Sequence, residues 1–81
     1  MQRLDCLGDI CPLPLIKLMQ YKQQLSSGEH VMLVTDHSCT CASILSYSEI
    51  NHIHTSVHEP VPGIWEITLW QDAVPSAGTT P

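Results

Sequence analysis

Apolar positions follow two periods along this chain, and segments of each period alternate. Arg3 to Cys6 is short and apolar enough for a strand. From Pro12 to about Ser27, Leu15, Leu18, Met19 and Leu25 recur in three- and four-residue steps, which predicts a helix. Lys17, Gln20, Gln23 and Gln24 fill its wet side, and Gly28 is a good terminator just past its end. Val31-Met32-Leu33-Val34-Thr35 is a continuous β-branched and apolar run, the pattern of an interior strand. Asp36-His37-Ser38 offers capping chemistry for a second helix through about Asn51, with Cys41, Ile44, Leu45 and Ser48 on one face. Ile53 to Glu59 alternates as a strand. Pro60-Val61-Pro62-Gly63 reads as a turn, and Ile64 to Trp70 as a last strand with Trp65, Ile67 and Leu69 on its core face. Trp70, on the other face, is expected to mark an apolar contact patch on the uncovered side of the sheet.

The order β-α-β-α-β-β predicts an α/β (α+β) two-layer sandwich, a four-stranded mixed sheet with two helices on one face. A strand–helix–strand crossover makes the first two strands parallel. Both then end at one edge, where both helices begin, and ligand sites of such sheets favour the carboxyl ends of parallel strands. The 81 residues suffice for one domain, expected over 1–71, with residues 72–81 forming a flexible C-terminal tail.

Charge narrows the function classes. The net charge is −5, and Arg3, Lys17 and Lys22 are the only basic residues besides histidine. Nucleic-acid binding draws on clustered Lys and Arg, so direct nucleic-acid contact is not expected. No apolar run approaches the ~20 residues that cross a bilayer, and the N-terminus lacks the apolar core of a secretory signal, so neither membrane insertion nor export is expected. A cytoplasmic location follows. There, the four cysteines Cys6, Cys11, Cys39 and Cys41 read as catalytic or metal-binding thiols rather than a disulfide framework.

The densest chemical signal is Leu4-Asp5-Cys6-Leu7-Gly8-Asp9-Ile10-Cys11-Pro12-Leu13-Pro14. Proline is favoured in a first helical turn, where its missing N–H has no intrahelical partner. Cys11 therefore caps or just precedes the helix, where amide N–H groups and the positive end of the helix dipole favour a thiolate. A helix terminus contributes about 0.3–1 kcal/mol, up to ~2 when partly buried, and Asp5 and Asp9 oppose it. The thiol is then only mildly activated, from about 8.5 to about 7–8, which suits an attacking thiol. Its sulfur can attack a sulfane sulfur, hold it as a persulfide and give it to another thiol, with no metal or organic cofactor required.

The supporting residues each admit a plainer role. Pro12 and Pro14 fix the first turn. Gly8 serves a turn with positive φ, and Asp5 either caps loop amides or tunes the thiol. Cys6 faces the core, as does Cys41. Cys39, at the start of the second helix, is the candidate auxiliary thiol: a resolving or relay thiol, or simply a small residue. His54 and His58 share a solvated strand face with Ser56, whereas His37 stands beside Cys39 on the predicted rim.

Leu-Asp-x-x-Gly-x-x-Cys-Pro-x-Pro, as Leu4 to Pro14, resembles the signature of the TusA/SirA-like sulfur-carrier family. Gly28-Glu29, Thr35-Asp36 and Gly63-Ile64-Trp65-Glu66-Ile67 extend the resemblance over about residues 3–71. It implies the same element order and a persulfide on Cys11, as acceptor and donor. It further implies a sulfur-donor partner, such as a cysteine desulfurase or a rhodanese-like protein, or thiosulfate itself. Where tRNA-thiolating members continue the second strand with a second aspartate or a proline, this chain has His37-Ser38-Cys39. That departure resembles the small members that work with YeeE/YedE-type membrane transporters in thiosulfate uptake. Two other classes compete: a metal-binding module of Cys11, Cys39, Cys41 and His37, and a thiol-redox regulator with a reversible Cys11–Cys39 disulfide. The close Cys-x-Cys pair is tighter than usual zinc-ligand spacing, against the first.

Overall fold

A computed structural model describes residues 2–10 and 12–72. Its elements are β1 (Gln2–Asp5), α1 (Leu13–Met19), α2 (Lys22–Ser26), β2 (Val31–Thr35), α3 (Ser38–Ile50), β3 (His54–Val61) and β4 (Ile64–Trp70). The sheet order is β1-β2-β4-β3, with β1 parallel to β2 and the other pairs antiparallel, a mixed sheet as expected. Register aligns Leu4, Leu33, Ile67 and Val57 across the sheet, and Val31 with Leu69. Side chains of paired residues share a face, so one face carries Leu4, Cys6, Val31, Leu33, Ile67 and Leu69. These pack in one cluster with Leu18, Leu25 and Ile44, placing all the helices on that face. Burying each such aliphatic side chain contributes about 1.5–3 kcal/mol relative to exposure.

The first helical stretch is two helices rather than one. The amides of Gln20 and Tyr21 donate to the carbonyls of Lys17 and Leu18, three residues back, at 3.2 and 2.8 Å. These tighter bonds over-rotate the chain between Met19 and Lys22. Tyr21 and Leu25 then pack on the core, while Met19, expected on the apolar face, is 51% exposed. No glycine or proline marks this break, so packing sets it.

On α3 the buried stripe is Thr40, Ile44 and Ser48. Cys41 packs half-buried at its border, and Leu45, expected on the core face, is exposed. The helix faces the sheet through these residues at i, i+4 and i+8, two of them small, which turns Leu45 outward. Its N-cap is His37, within the expected Asp36-His37-Ser38 capping segment, but no side chain there makes a cap hydrogen bond.

At the hairpin, β3 continues through Pro60 to Val61, which pairs with Ile64, beyond the expected end at Glu59. An irregularity between His58 and Val61 absorbs the proline, which an edge strand tolerates. The turn narrows to Pro62-Gly63; Gly63 has φ +89°, and its N–H donates to Glu59 Oε2 at 2.9 Å. Trp65 is half-buried and outside the core cluster. Trp70 lies on the uncovered face as expected, but it is flanked by stacked imidazoles, His30 at 5.4 Å and His54 at 5.6 Å between centroids, rather than forming a bare apolar patch. His54, Ser56 and His58 are exposed together. Of the expected tail, residues 73–81 lie outside the described residues; Asp72 accepts from His54 Nε2 at 3.3 Å.

Candidate functional site: the rim at the carboxyl ends of β1 and β2

Parallel pairing of β1 with β2 brings Asp5 opposite Val34, so both strands deliver their following loops to one rim. There the chain after β1 turns sharply. The Cys6 N–H donates to the Val34 carbonyl at 2.8 Å, and the Asp9 N–H closes back on the Cys6 carbonyl at 3.1 Å. Gly8 has φ +81°, a left-handed conformation that glycine adopts without steric cost. Its N–H donates to Asp36 Oδ1 at 3.0 Å, a bond spanning 28 positions of sequence. Asp36 thus clamps the loop that leads to Cys11 onto the corner between β2 and α3. Asp5 caps the loop locally, accepting from the Leu7 N–H at 3.1 Å. Asp9 pairs with Lys17 of α1 at 2.5 Å.

Past residue 11, which lies outside the described residues, Pro12 is exposed and occupies the N-cap of α1, and Pro14 is buried in the first turn. The helix-terminus argument for thiol activation weakens here. Of positions 12–15, two are prolines without an N–H, and the Leu13 N–H is engaged by the Ile10 carbonyl at 2.9 Å. Around these prolines, Leu7, Ile10, Leu13 and Ile16 are exposed apolar side chains.

The described cysteines divide cleanly. Cys6 is fully buried, and burial pushes its thiol up, with Asp9 and Asp5 adding to this and Lys17 opposing it. Cys41 packs on the core; burial, and then the Glu59 charge, push its thiol up as well. Cys39 is exposed near the start of α3. Neither of these raised thiols suits nucleophilic attack. Among the described residues, no three His, Cys, Asp or Glu side chains converge as metal ligands. An open groove of about 460 Å³ lies between α1 and α3, lined by Leu15, Ala42, Ser43, Ser46, Tyr47 and Ile50; no cysteine lines it.

Asp36 is the rim residue that sequence reading missed. Donation from the Gly8 N–H holds its carboxyl below the usual carboxylate range; partial desolvation opposes this, while its own amide and the neighbouring His37 assist. His37 Nδ1 stands 2.8 Å from Asp36 Oδ1, an ion-pair approach whose angle is not that of an aligned hydrogen bond. A carboxyl depressed in the folded state contributes stability that is present above the unfolded carboxyl value and is lost as pH falls through the lower folded one. Thermal melts taken from neutral pH into acid are therefore expected to show a stability loss that is shallower in Asp36→Asn. Parallel acid limbs for the two proteins would contradict the clamp.

The family model described as Sulfurtransferase TusA matches residues 2–71. This chain belongs to that family. A curated relative from Methanocaldococcus jannaschii, whose name makes it a candidate sulfur carrier protein, is 35% identical over 51 residues, 63% of this chain and 68% of the relative. The crystal structure of a SirA-like protein from Desulfitobacterium hafniense superposes with a TM-score of 0.78 at 24% identity, covering 85% of this chain and 95% of that one. The likeness confirms the fold. No helix among the described residues is long and apolar enough to cross a membrane.

Proposed function

We propose that this TusA-family chain is a sulfur carrier in which Cys11 accepts a sulfane sulfur as a persulfide and passes it to a partner thiol. The observation that carries this reading is the pinning of both flanks of Cys11. Gly8 is held by Asp36 on one side, and Pro12 at the N-cap with buried Pro14 braces the other. A nucleophile between two braced flanks needs little reorganisation on attack. The exposed Leu7, Ile10 and Leu13 beside it supply apolar surface for a partner that excludes water during transfer. The donor is a cysteine desulfurase or rhodanese-like protein, or thiosulfate delivered by a YeeE/YedE-type transporter, and the location is cytoplasmic. The His37-Ser38-Cys39 segment supports the thiosulfate branch.

Intact-mass measurement after incubation with thiosulfate, with inorganic polysulfide, or with a cysteine desulfurase and cysteine tests this. The expected product gains one sulfur atom, loses it to reductant, and carries it on the peptide that contains Cys11. Sulfur found only on the Cys39 peptide would overturn the reading by moving the acceptor to Cys39, and a loss of two hydrogens in place of the gain would overturn it in favour of the redox alternative.

A further inference from the structure

We infer that β3 is a self-complementary edge through which two copies of this chain join their sheets, Val57 of one copy meeting Val57 of the other. β3 is the outermost strand of the order β1-β2-β4-β3, is eight residues long, and exposes all of them but Thr55. A strand edge presents unpaired N–H and C=O groups that template another strand, and proteins blunt such edges with lysine, proline and bulges. β3 contains no Lys or Arg, and its proline and its irregularity both lie beyond His58. Thr55 to His58 is therefore a regular stretch with no such guard. The opposite edge, β1, has four residues and carries the charged Arg3 and Asp5 on the uncovered face. The inference stands apart from the carrier reading, since β3 is the strand farthest from β1.

The residue pattern selects a second copy as the occupant. A two-fold axis normal to the sheet runs the two edges antiparallel, and residues directly opposite then share a face. Centred on Val57, that axis sets Val57 against Val57, Ser56 against His58 and Thr55 against Glu59. Apolar meets apolar, and each hydroxyl meets a group that can accept from it. Glu59 is held for this: its Oε2 accepts from the Gly63 N–H at 2.9 Å, which leaves Oε1 for the Thr55 hydroxyl of the other copy. Moving the axis by one residue destroys the match. Centred on Ser56, His54 meets His58 and Ile53 meets a carboxylate; centred on His58, Val57 meets Glu59.

The helix layer fits the same axis. α3 runs antiparallel to β3: the Ile53 N–H donates to the Ser48 carbonyl at 2.8 Å, and at the other end Cys41 feels the charge of Glu59. Four residues of helix and two of strand each advance about 6 Å, so Leu45, one turn after Cys41, stands level with Val57. Leu45 is 36% exposed and Val57 43%, on the flank of α3 away from the groove shared with α1. Since α3 packs on both β3 and β4, a strand spacing of about 4.8 Å sets the two α3 axes about 10–14 Å apart. Leu45 of each copy fills that gap above the paired valines, and the two sheets become one of eight strands.

Light scattering of the full chain over rising concentration, to about 1 mM, tests this, with wild type expected to double its mass reversibly. Val57→Lys sets two like charges opposite each other and is expected to weaken the dimer by at least about tenfold; circular dichroism checks its fold. Register is read separately, with oxidised glutathione and a Cys11→Ser, Cys39→Ser background. Val57→Cys is expected to form an intermolecular disulfide, because directly opposite Cα atoms lie about 4.5–5.5 Å apart. Ser56→Cys faces His58 and lies about 8 Å from its own copy, beyond disulfide reach, so it is expected to stay uncrosslinked. A monomer at every concentration, a dimer as tight in Val57→Lys as in wild type, or equal cross-linking of the two cysteine variants would overturn the inference.

Discussion

Cys11→Ser is expected to reduce sulfur uptake to background while leaving the melting temperature almost unchanged. A serine oxygen forms no persulfide, and its hydroxyl does not ionise in the range where a thiol does. The exchange is nearly isosteric, so the bracing of Gly8 by Asp36 and of α1 by Pro12 and Pro14 remains available. Cys39→Ser is the decisive companion. Loading that survives in Cys39→Ser but not in Cys11→Ser assigns the acceptor to Cys11, with Cys39 at most a later relay. Cys6 and Cys41 are poor competitors, since burial raises both thiols and Cys6 has no exposed surface. Mass gain retained in Cys11→Ser would end the carrier reading.

The second large effect is a stabilisation. Ser48 is 1% exposed at the C-terminal end of the α3 stripe, and its Oγ meets no hydrogen-bond partner among the described residues. A buried hydroxyl without a partner costs about 1–3 kcal/mol. Alanine removes that cost and gains about 0.5 kcal/mol of helix propensity, against a small loss of packing where the oxygen had been. Ser48→Ala is thus expected to stabilise by about 1–2 kcal/mol, and for a domain of this size to raise the melting temperature by roughly 5–15 °C. A fall in melting temperature would show that the hydroxyl has a partner. Sulfur loading should not change, because Ser48 lies in the helix layer near the C-terminal half of α3, well along from the rim.

Much of this molecule was legible locally. The strands β2 and β4, the buried Cys6, and the meeting of two loops at the carboxyl ends of parallel strands all follow from period, run length and element order. The errors share one cause. Spacing on a straight helix puts Met19 and Leu45 on core faces, and spacing cannot see a tightened turn at Tyr21 or a close approach through Thr40 and Ser48. Asp36 belongs to a segment, Asp36-His37-Ser38, that reads as capping chemistry because it precedes a helix. Its real partner, the Gly8 N–H, is 28 positions away.

Sequence alone determined the chemistry of this protein: which sulfur stands before a proline-braced turn, how few cations are present, and the alternation that forces a mixed sheet. Those properties are local, set by residue type and by neighbours within a turn or a strand. Tertiary structure decided which groups surround the rim, joining the Gly8 amide, the Asp36 carboxylate and the His37 imidazole through a single oxygen atom. That junction depends on two loops being delivered to the same edge at hydrogen-bonding distance, and only the packed sheet sets such a distance.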